Sequence, residues 1–144
     1  SLFLREIHGK EIGAVPPVDL AAEKRHGDFV RAQILSASVS ACHDVSDGGL
    51  IVALAEMAMA GKVGCLVDYS PQNPASFWFG EDQARYIVTT DNPELLENSA
   101  RLAGIPLQKL WISRGAEMSL GGETVSVAEL TWINEAWLPD YMEG

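Results

Sequence analysis

Apolar positions recur along this chain at helical spacing in some stretches and as short unbroken runs in others, and glycine and proline separate the two. The opening run Ser1-Leu2-Phe3-Leu4-Arg5-Glu6-Ile7 is short and apolar and reads as a strand. Gly9 to Pro17 has two Gly, two Pro and few core residues and reads as a connector stiffened by Pro16-Pro17, so residues 1–17 form an N-terminal strand and linker. Asp19 suits the N-cap of a helix from Leu20 to Ser38, with Phe29, Val30, Ile34 and Ala37 on one face and Lys24, Arg25 and Arg31 elsewhere; Gly27 weakens it. The apolar run Val39 to Cys42, the polar turn His43 to Gly49 and the stretch Leu50 to Ala60, closed by Gly61, predict strand, loop and helix. That helix is apolar almost all round, with Glu56 its only charge, which predicts burial on more than one face.

Gly64 to Tyr69 is rich in strand formers, and Ser70 to Pro74 is a loop with two prolines. Phe77 to Gln83 then leads into a strand from Arg85 to Thr90. Asp91-Asn92-Pro93 starts a helix in which Leu96, Ala100 and Ala103 keep helical spacing until Gly104 stops it. Leu107 to Ser113 predicts a strand. Glu117 to Leu120 and Thr124 to Val127 flank Gly121-Gly122, a two-residue hairpin signal. Ala128 to Trp137 predicts a last helix ended by Pro139, with Trp132 and Trp137 as a docking face. Interleaved strands and helices with a hairpin predict an α/β (α+β) domain over 18–144, a mixed β-sheet flanked by helices.

The chain has 144 residues, 47% hydrophobic and 21% charged, enough for one domain with a real core but short for an ATP-using enzyme with a two-domain site. No apolar run is long enough to span a bilayer. The start lacks the features of a secretory signal and an initiator Met, which points to a processed or excised piece. A net charge of -10 argues against nucleic acid and against anionic membrane surfaces as partners, since binding would add repulsion. Cys42 and Cys65 make no Cys-x-x-Cys pair and sit in apolar stretches, which favours a reducing cytoplasm.

The segment richest in chemistry is Cys42-His43-Asp44-Val45-Ser46-Asp47-Gly48-Gly49-Leu50. It sets two carboxylates, an imidazole and a hydroxyl at a strand-to-helix turn with two glycines. Glycines allow close backbone approach, and free amides at a helix start suit phosphate or carboxylate. Asp44 or Asp47 could hold a magnesium ion, directly or through water, and His43 could donate a hydrogen bond or move a proton. The plainer reading has Ser46 or Asp47 capping the helix, Gly48-Gly49 turning the chain and Asp44 bonding local amides. The second segment, Phe79-Gly80-Glu81-Asp82-Gln83-Ala84-Arg85-Tyr86, gathers acids, an amide and a guanidinium before a strand; its plainer reading is a solvated turn with Arg85 paired to Glu81 or Asp82. Phe77, Trp78 and Phe79 read as a packing cluster, Glu56 as an exposed or paired helix residue, and His8 and His26 as ordinary surface or linker residues. The chain has no phosphate loop of the Gly-x-x-x-x-Gly-Lys type, no Gly-x-Ser-x-Gly elbow and no His-Glu-x-x-His motif.

In order and spacing, His43-Asp-Val-Ser-Asp-Gly-Gly-Leu50, Ala55-Glu-Met-Ala58 and Phe79-Gly-Glu-Asp-Gln83 with Arg85-Tyr86 resemble the formylglycinamide ribonucleotide amidotransferases. Pro16 to Leu20, Glu23-Lys24-Arg25, Gly27 to Val30 and Glu135 to Pro139 resemble them too. AIR synthases, thiamine-phosphate kinases, selenophosphate synthases and hydrogenase maturation factors have a similar turn in altered wording, so a domain of such a sister kinase is the alternative within the superfamily. The resemblance implies an AIR synthase C-terminal-domain-like fold and a part in an ATP-dependent, magnesium-using ligase of purine biosynthesis. In that ligase the substrate's formyl amide oxygen is phosphorylated, and ammonia from a glutaminase displaces phosphate. It implies as partners the remaining synthase domains, the glutaminase subunit and a small accessory subunit, and a piece inactive by itself. It suggests the α/β domain of the second of two repeats, facing a pocket that can hold an auxiliary nucleotide. Carried over as nucleotide- or substrate-facing are His43, Asp44, Ser46, Asp47, Gly48, Gly49, Glu81, Asp82 and Gln83, with Asp44 and Asp47 toward the metal and no residue named as catalytic base. The reading of another class is a structural domain that docks the glutaminase and its small partner.

Overall fold

The computed structural model describes residues 1–13 and 15–143. Ala14 of the expected connector and Gly144 at the end of the expected domain lie outside the described residues. Elements follow the order α1 (Leu2–His8), α2 (Leu20–Leu35), β1 (Ala41–Asp44), α3 (Gly49–Gly61), β2 (Cys65–Val67), α4 (Pro74–Phe79), β3 (Tyr86–Thr89), α5 (Pro93–Ala103), β4 (Trp111–Ser113), β5 (Glu117–Leu120), β6 (Glu123–Ser126) and α6 (Val127–Glu143). The chain divides into two compact units. One comprises Ser1–Ala53 and Asn73–Gln108; the other comprises Leu54–Gln72 and the chain from Lys109 on, so α3 begins in the first and ends in the second.

In the first unit β1 and β3 pair antiparallel, with His43 opposite Ile87 and Asp44 opposite Tyr86. Ile87 is almost fully buried, together with Val45, Leu50, Ala53, Trp78, Leu96 and Ala100. Helix α5 is built as its sequence dictates: the Asn92 side chain accepts from Leu95 N–H, Pro93 sits in the first turn, and Gly104 closes the helix in the left-handed region. Asp19 caps α2 by accepting from the amides of Ala21 and Ala22, at 3.0 and 2.9 Å. These bonds, that to Ala22 first, hold its carboxyl below the usual range.

The second unit carries the expected mixed sheet, in the order β4-β2-β5-β6, with β2 and β5 parallel and the other neighbours antiparallel. The hairpin turns on Gly121 and Gly122, with φ of 60° and 90°, the two positive angles that such a two-residue loop needs. Leu54, Ala58, Cys65, Val67, Met118 and Val127 form its core. A Cβ on Gly64 would collide with the Glu117 backbone, so β2 is entered through the one residue that fits.

Four expectations need correction. The opening run is helix α1, not a strand: so short an apolar run is ambiguous by periodicity, and the left-handed Gly9, whose amide bonds back into the last turn, closes a helix. Pro74 and Asn73 start helix α4 where a loop was expected. The strand expected from Leu107 is confined to Trp111–Ser113. Pro139 lies inside α6 and does not end it, although it forgoes one helical hydrogen bond. Among the described residues no helix is long and apolar enough to cross a membrane.

Ile87→Ala should lower the stability of the first unit by about 2–5 kcal/mol, the range for emptying a well-packed core site. Leu102→Ala, at a position 77% exposed, should change it by less than about 0.5 kcal/mol. Urea unfolding of the two variants checks the contrast.

Candidate functional site

Strand β1 delivers the turn after it to one end of the first unit. Val45 N–H extends the ladder by donating to Arg85 C=O at 2.9 Å, and Gly49 N–H then folds back to Ser46 C=O at 3.0 Å. Gly48 and Gly49 both take positive φ, 80° and 78°. Gly49 also has no room for a side chain: a Cβ would lie 2.7–2.8 Å from the Phe79 backbone and the Trp78 carbonyl oxygen. Both glycines are buried, whereas Asp44, Ser46 and Asp47 are exposed and His43 is half-buried. His43 Nδ1 lies 2.6 Å from Asp44 C=O and 3.7 Å from the Asp44 carboxylate. Because a carbonyl only accepts, this nitrogen carries the hydrogen.

The second acidic segment crosses the mouth of this turn. Glu81 Oε1 accepts from Gly48 N–H at 3.1 Å, so a side-chain acceptor at the start of α3 comes from Glu81. Arg85 faces the end of α4, donating to Phe77 C=O at 3.2 Å and Gly80 C=O at 3.4 Å, with its guanidinium 5.4 Å from the Phe77 ring centroid and 3.5 Å from Asp82. A cation is favoured at those terminal carbonyls. Trp78 is buried, and Phe79 stacks on Phe3 at 4.1 Å, so the aromatic triplet is a packing cluster.

His43, Asp44, Ser46, Asp47, Glu81 and Gln83 line one groove of about 1010 Å³; Asp82, Gly48 and Gly49 are outside its lining. The opposite wall is helix α2, which contributes Glu23, Gly27, Val30, Arg31 and Ile34. These residues were not expected at the site, and their i, i+4, i+7, i+8, i+11 spacing was the signal for them. Helix α2 has no buried residue; of its expected apolar face Val30 and Ile34 border the groove, together with Arg31, which was expected off that face. Gly27 sits under β3: a Cβ there would touch the Tyr86 hydroxyl at 3.4 Å, an ordinary contact distance. That hydroxyl donates to Glu23 at 3.3 Å, and burial, then the Glu23 charge, push its pKa up, so it stays a donor. His26, expected at the surface, is half-buried with Nδ1 2.8 Å from Ala84 C=O.

Four carboxylates, Glu23, Asp44, Asp47 and Glu81, face two guanidinium groups, Arg31 and Arg85, around the groove. Such a surface attracts cations and hydrogen-bond donors and repels a bare anion. Among the described residues no three His, Cys, Asp or Glu side chains cluster to hold a metal. Asp44 and Asp47 are both exposed on the groove, and magnesium commonly takes one or two carboxylates and completes its shell with water and substrate phosphate.

Cys42 also borders the groove. Desolvation of its sulfur, helped by the Asp44 charge, raises its thiol pKa. Iodoacetamide at pH 8 should therefore label Cys42 more slowly than an unstructured cysteine, and Asp44→Asn should speed the labelling, as peptide mass spectrometry would show. Equal rates in the two proteins would rule out the charge effect.

Residues 1–112 match the family model described as AIR synthase related protein, C-terminal domain. The chain is 56% identical, over 99% of its length, to "Phosphoribosylformylglycinamidine synthase subunit PurL" of Methylocella silvestris, and 50% identical over 99% to the protein of that name from Rhodopseudomonas palustris. It spans about 20% of the length of either relative. Among solved structures, "T. maritima PurL complexed with FGAR" superposes with a TM-score of 0.69 at 18% identity, covering 86% of this chain and 23% of that one. "T. maritima PurL complexed with ATP" gives 0.68 at 19% identity, covering 83% and 23%, and "Structure of PurLQS from Thermotoga maritima" gives 0.68 at 19%, covering 82% and 23%. At these identities the solved structures share the fold. With a family match over residues 1–112 of 144, this chain belongs to the AIR synthase related proteins, as their C-terminal domain.

Proposed function

We propose that the chain works as one domain of a cytoplasmic, ATP-dependent phosphoribosylformylglycinamidine synthase, a ligase of purine biosynthesis, and that it is inactive apart from the rest of that enzyme. The observation carrying this reading is the 56% identity to the PurL subunit across 99% of the chain. The overall reaction takes formylglycinamide ribonucleotide, glutamine and ATP to formylglycinamidine ribonucleotide. The formyl amide oxygen attacks the γ-phosphorus and ADP leaves; ammonia then adds at the activated carbon, and phosphate departs with the former amide oxygen.

Within this scheme the groove beside the end of β1 and the turn into α3 faces nucleotide or substrate. Magnesium, when bound, neutralises phosphate charge there. Asp44 and Asp47 would hold it, and Ser46 and Gln83 offer uncharged polar groups. A negatively charged groove suits a magnesium-bound phosphate better than a free one. The partners follow from the same reading: the remaining synthase domains, the glutaminase subunit and a small accessory subunit. The assembly named PurLQS among the structural relatives supports this.

The exposed face of α6 favours a docking role beside the ligand role. Trp132, Trp137 and Tyr141 are 65–70% exposed, and Trp137 stacks on Tyr141 with centroids 5.4 Å apart. Its occupant in this reading is the glutaminase subunit, and Trp132→Ser with Trp137→Ser should abolish co-elution of the two in gel filtration.

The ligand role is tested by kinetics in the complete synthase. Asp44→Asn with Asp47→Asn should raise KM for magnesium-ATP roughly tenfold, the loss of about 1.4 kcal/mol of charge-assisted contact. The 144-residue chain alone should turn over no ATP with formylglycinamide ribonucleotide and ammonia. Turnover by that chain, lost with the two aspartates, would show that it needs no other domain.

A further inference from the structure

We infer that Glu81 is a positioning residue, a clamp that ties the Val45–Gly48 turn to helix α1 through one carboxylate oxygen. Glu81 Oε1 accepts from Gly48 N–H at 3.1 Å and from Leu2 N–H at 2.7 Å. The two donors come from segments 46 residues apart, and both bonds are partly shielded from water, where a charge-assisted bond keeps more of its strength. Two contacts hold the same junction. Phe3 stacks on Phe79 at 4.1 Å and 15°, which seats α1 against the end of α4. Gly49 meets the backbone of Trp78 and Phe79 with no space for a side chain, which seats the start of α3 there too. Glu81 follows the end of α4 by two residues and closes the gap between these two contacts.

This placement gives Glu81 a task different from facing a ligand. Its carboxylate already satisfies the Gly48 amide, an orphan donor at a helix start that a ligand phosphate could otherwise take. The ligand-facing groups are then the side chains of His43 and Asp44 at the end of β1 and of Ser46 and Asp47 in the turn, and Glu81 acts through their placement. The inference rests on the reading that the turn faces a ligand, and its test separates the two.

In the complete synthase, hydrogen exchange read by mass spectrometry should show the peptides containing Gly48 and Leu2 exchanging about tenfold faster in Glu81→Ala, the equivalent of about 1.4 kcal/mol of lost protection. A peptide over the Gly121–Gly122 hairpin should not change. Glu81→Gln, whose carbonyl oxygen still accepts, should restore protection and keep KM for ATP near that of the parent, whereas Glu81→Ala should raise KM more than it lowers kcat. Leu2→Pro deletes one donor at a position where a helix tolerates proline. It should loosen the α1 peptide and leave the Gly48 peptide protected, so the clamp remains testable if Glu81→Ala does not fold. Unchanged exchange at Gly48 in Glu81→Ala, or at α1 in Leu2→Pro, overturns the clamp. Faster exchange at both peptides in Glu81→Ala with an unmoved KM supports the clamp and instead removes the ligand role of the turn.

Discussion

Helix α3 begins where helix α4 ends, at a separation that admits no side chain on Gly49. Much of the first unit follows from this contact. A chain that must place two glycines at positive φ between a strand and a helix cannot run β1 straight into α3, so it turns, and the turn leaves Asp44, Ser46 and Asp47 exposed at its rim. The same contact brings the Glu81 carboxylate within reach of the Gly48 amide, and it lets the α3 residues Leu50 and Ala53 enter the core that holds Ile87 and Trp78. The energetic logic is mutual. Burial of Trp78 and Leu50 holds the two backbones together, and glycine removes the steric cost of that approach.

The second unit depends on a similar device of smaller scope. Gly64 passes against the Glu117 backbone before β2, and donates its amide to Gly115 C=O while its carbonyl accepts from Arg114 N–H, each at 2.9 Å. A parallel pairing of two short strands, β2 and β5, is thereby framed by turn hydrogen bonds. Such pairing is slightly less stable per residue than antiparallel pairing, which makes the flanking antiparallel neighbours β4 and β6 useful support.

Local chemistry made the elements with strong end signals legible in the sequence. Asp19, Asn92-Pro93, Gly104 and Gly121-Gly122 each act through bonds within a few residues, and each does in the structure what its residue type prescribes. Elements whose identity rests on distant contacts were harder. Leu2–His8 fits strand or helix by pattern, and its docking on Phe79 and Glu81 involves residues more than seventy positions away. Pro139 is a helix breaker by propensity, yet α6 runs through it. For the groove, the polar turn identified one wall, because two carboxylates, an imidazole and glycines form a dense local signal. The other wall was hidden, since Glu23, Gly27 and Arg31 are ordinary helix-face residues until β3 brings Tyr86 against them.

The split between side chains that face the groove and a carboxylate that faces inward bears on what such a turn can recognise. A helix start with free amides binds an anion through backbone donors that no substitution removes. With Gly48 already bonded to Glu81, that amide is not offered to the groove, and the side chains the turn exposes there are acidic and polar. Acidic side chains hold a phosphate only through a cation, so affinity becomes conditional on the metal and falls when either carboxylate is neutralised. Carboxylates at the rim of a turn repel a bare phosphate, which a helix start with free amides does not. Glu81 lines the groove, yet its Oε1 is spent on the Gly48 amide within the turn.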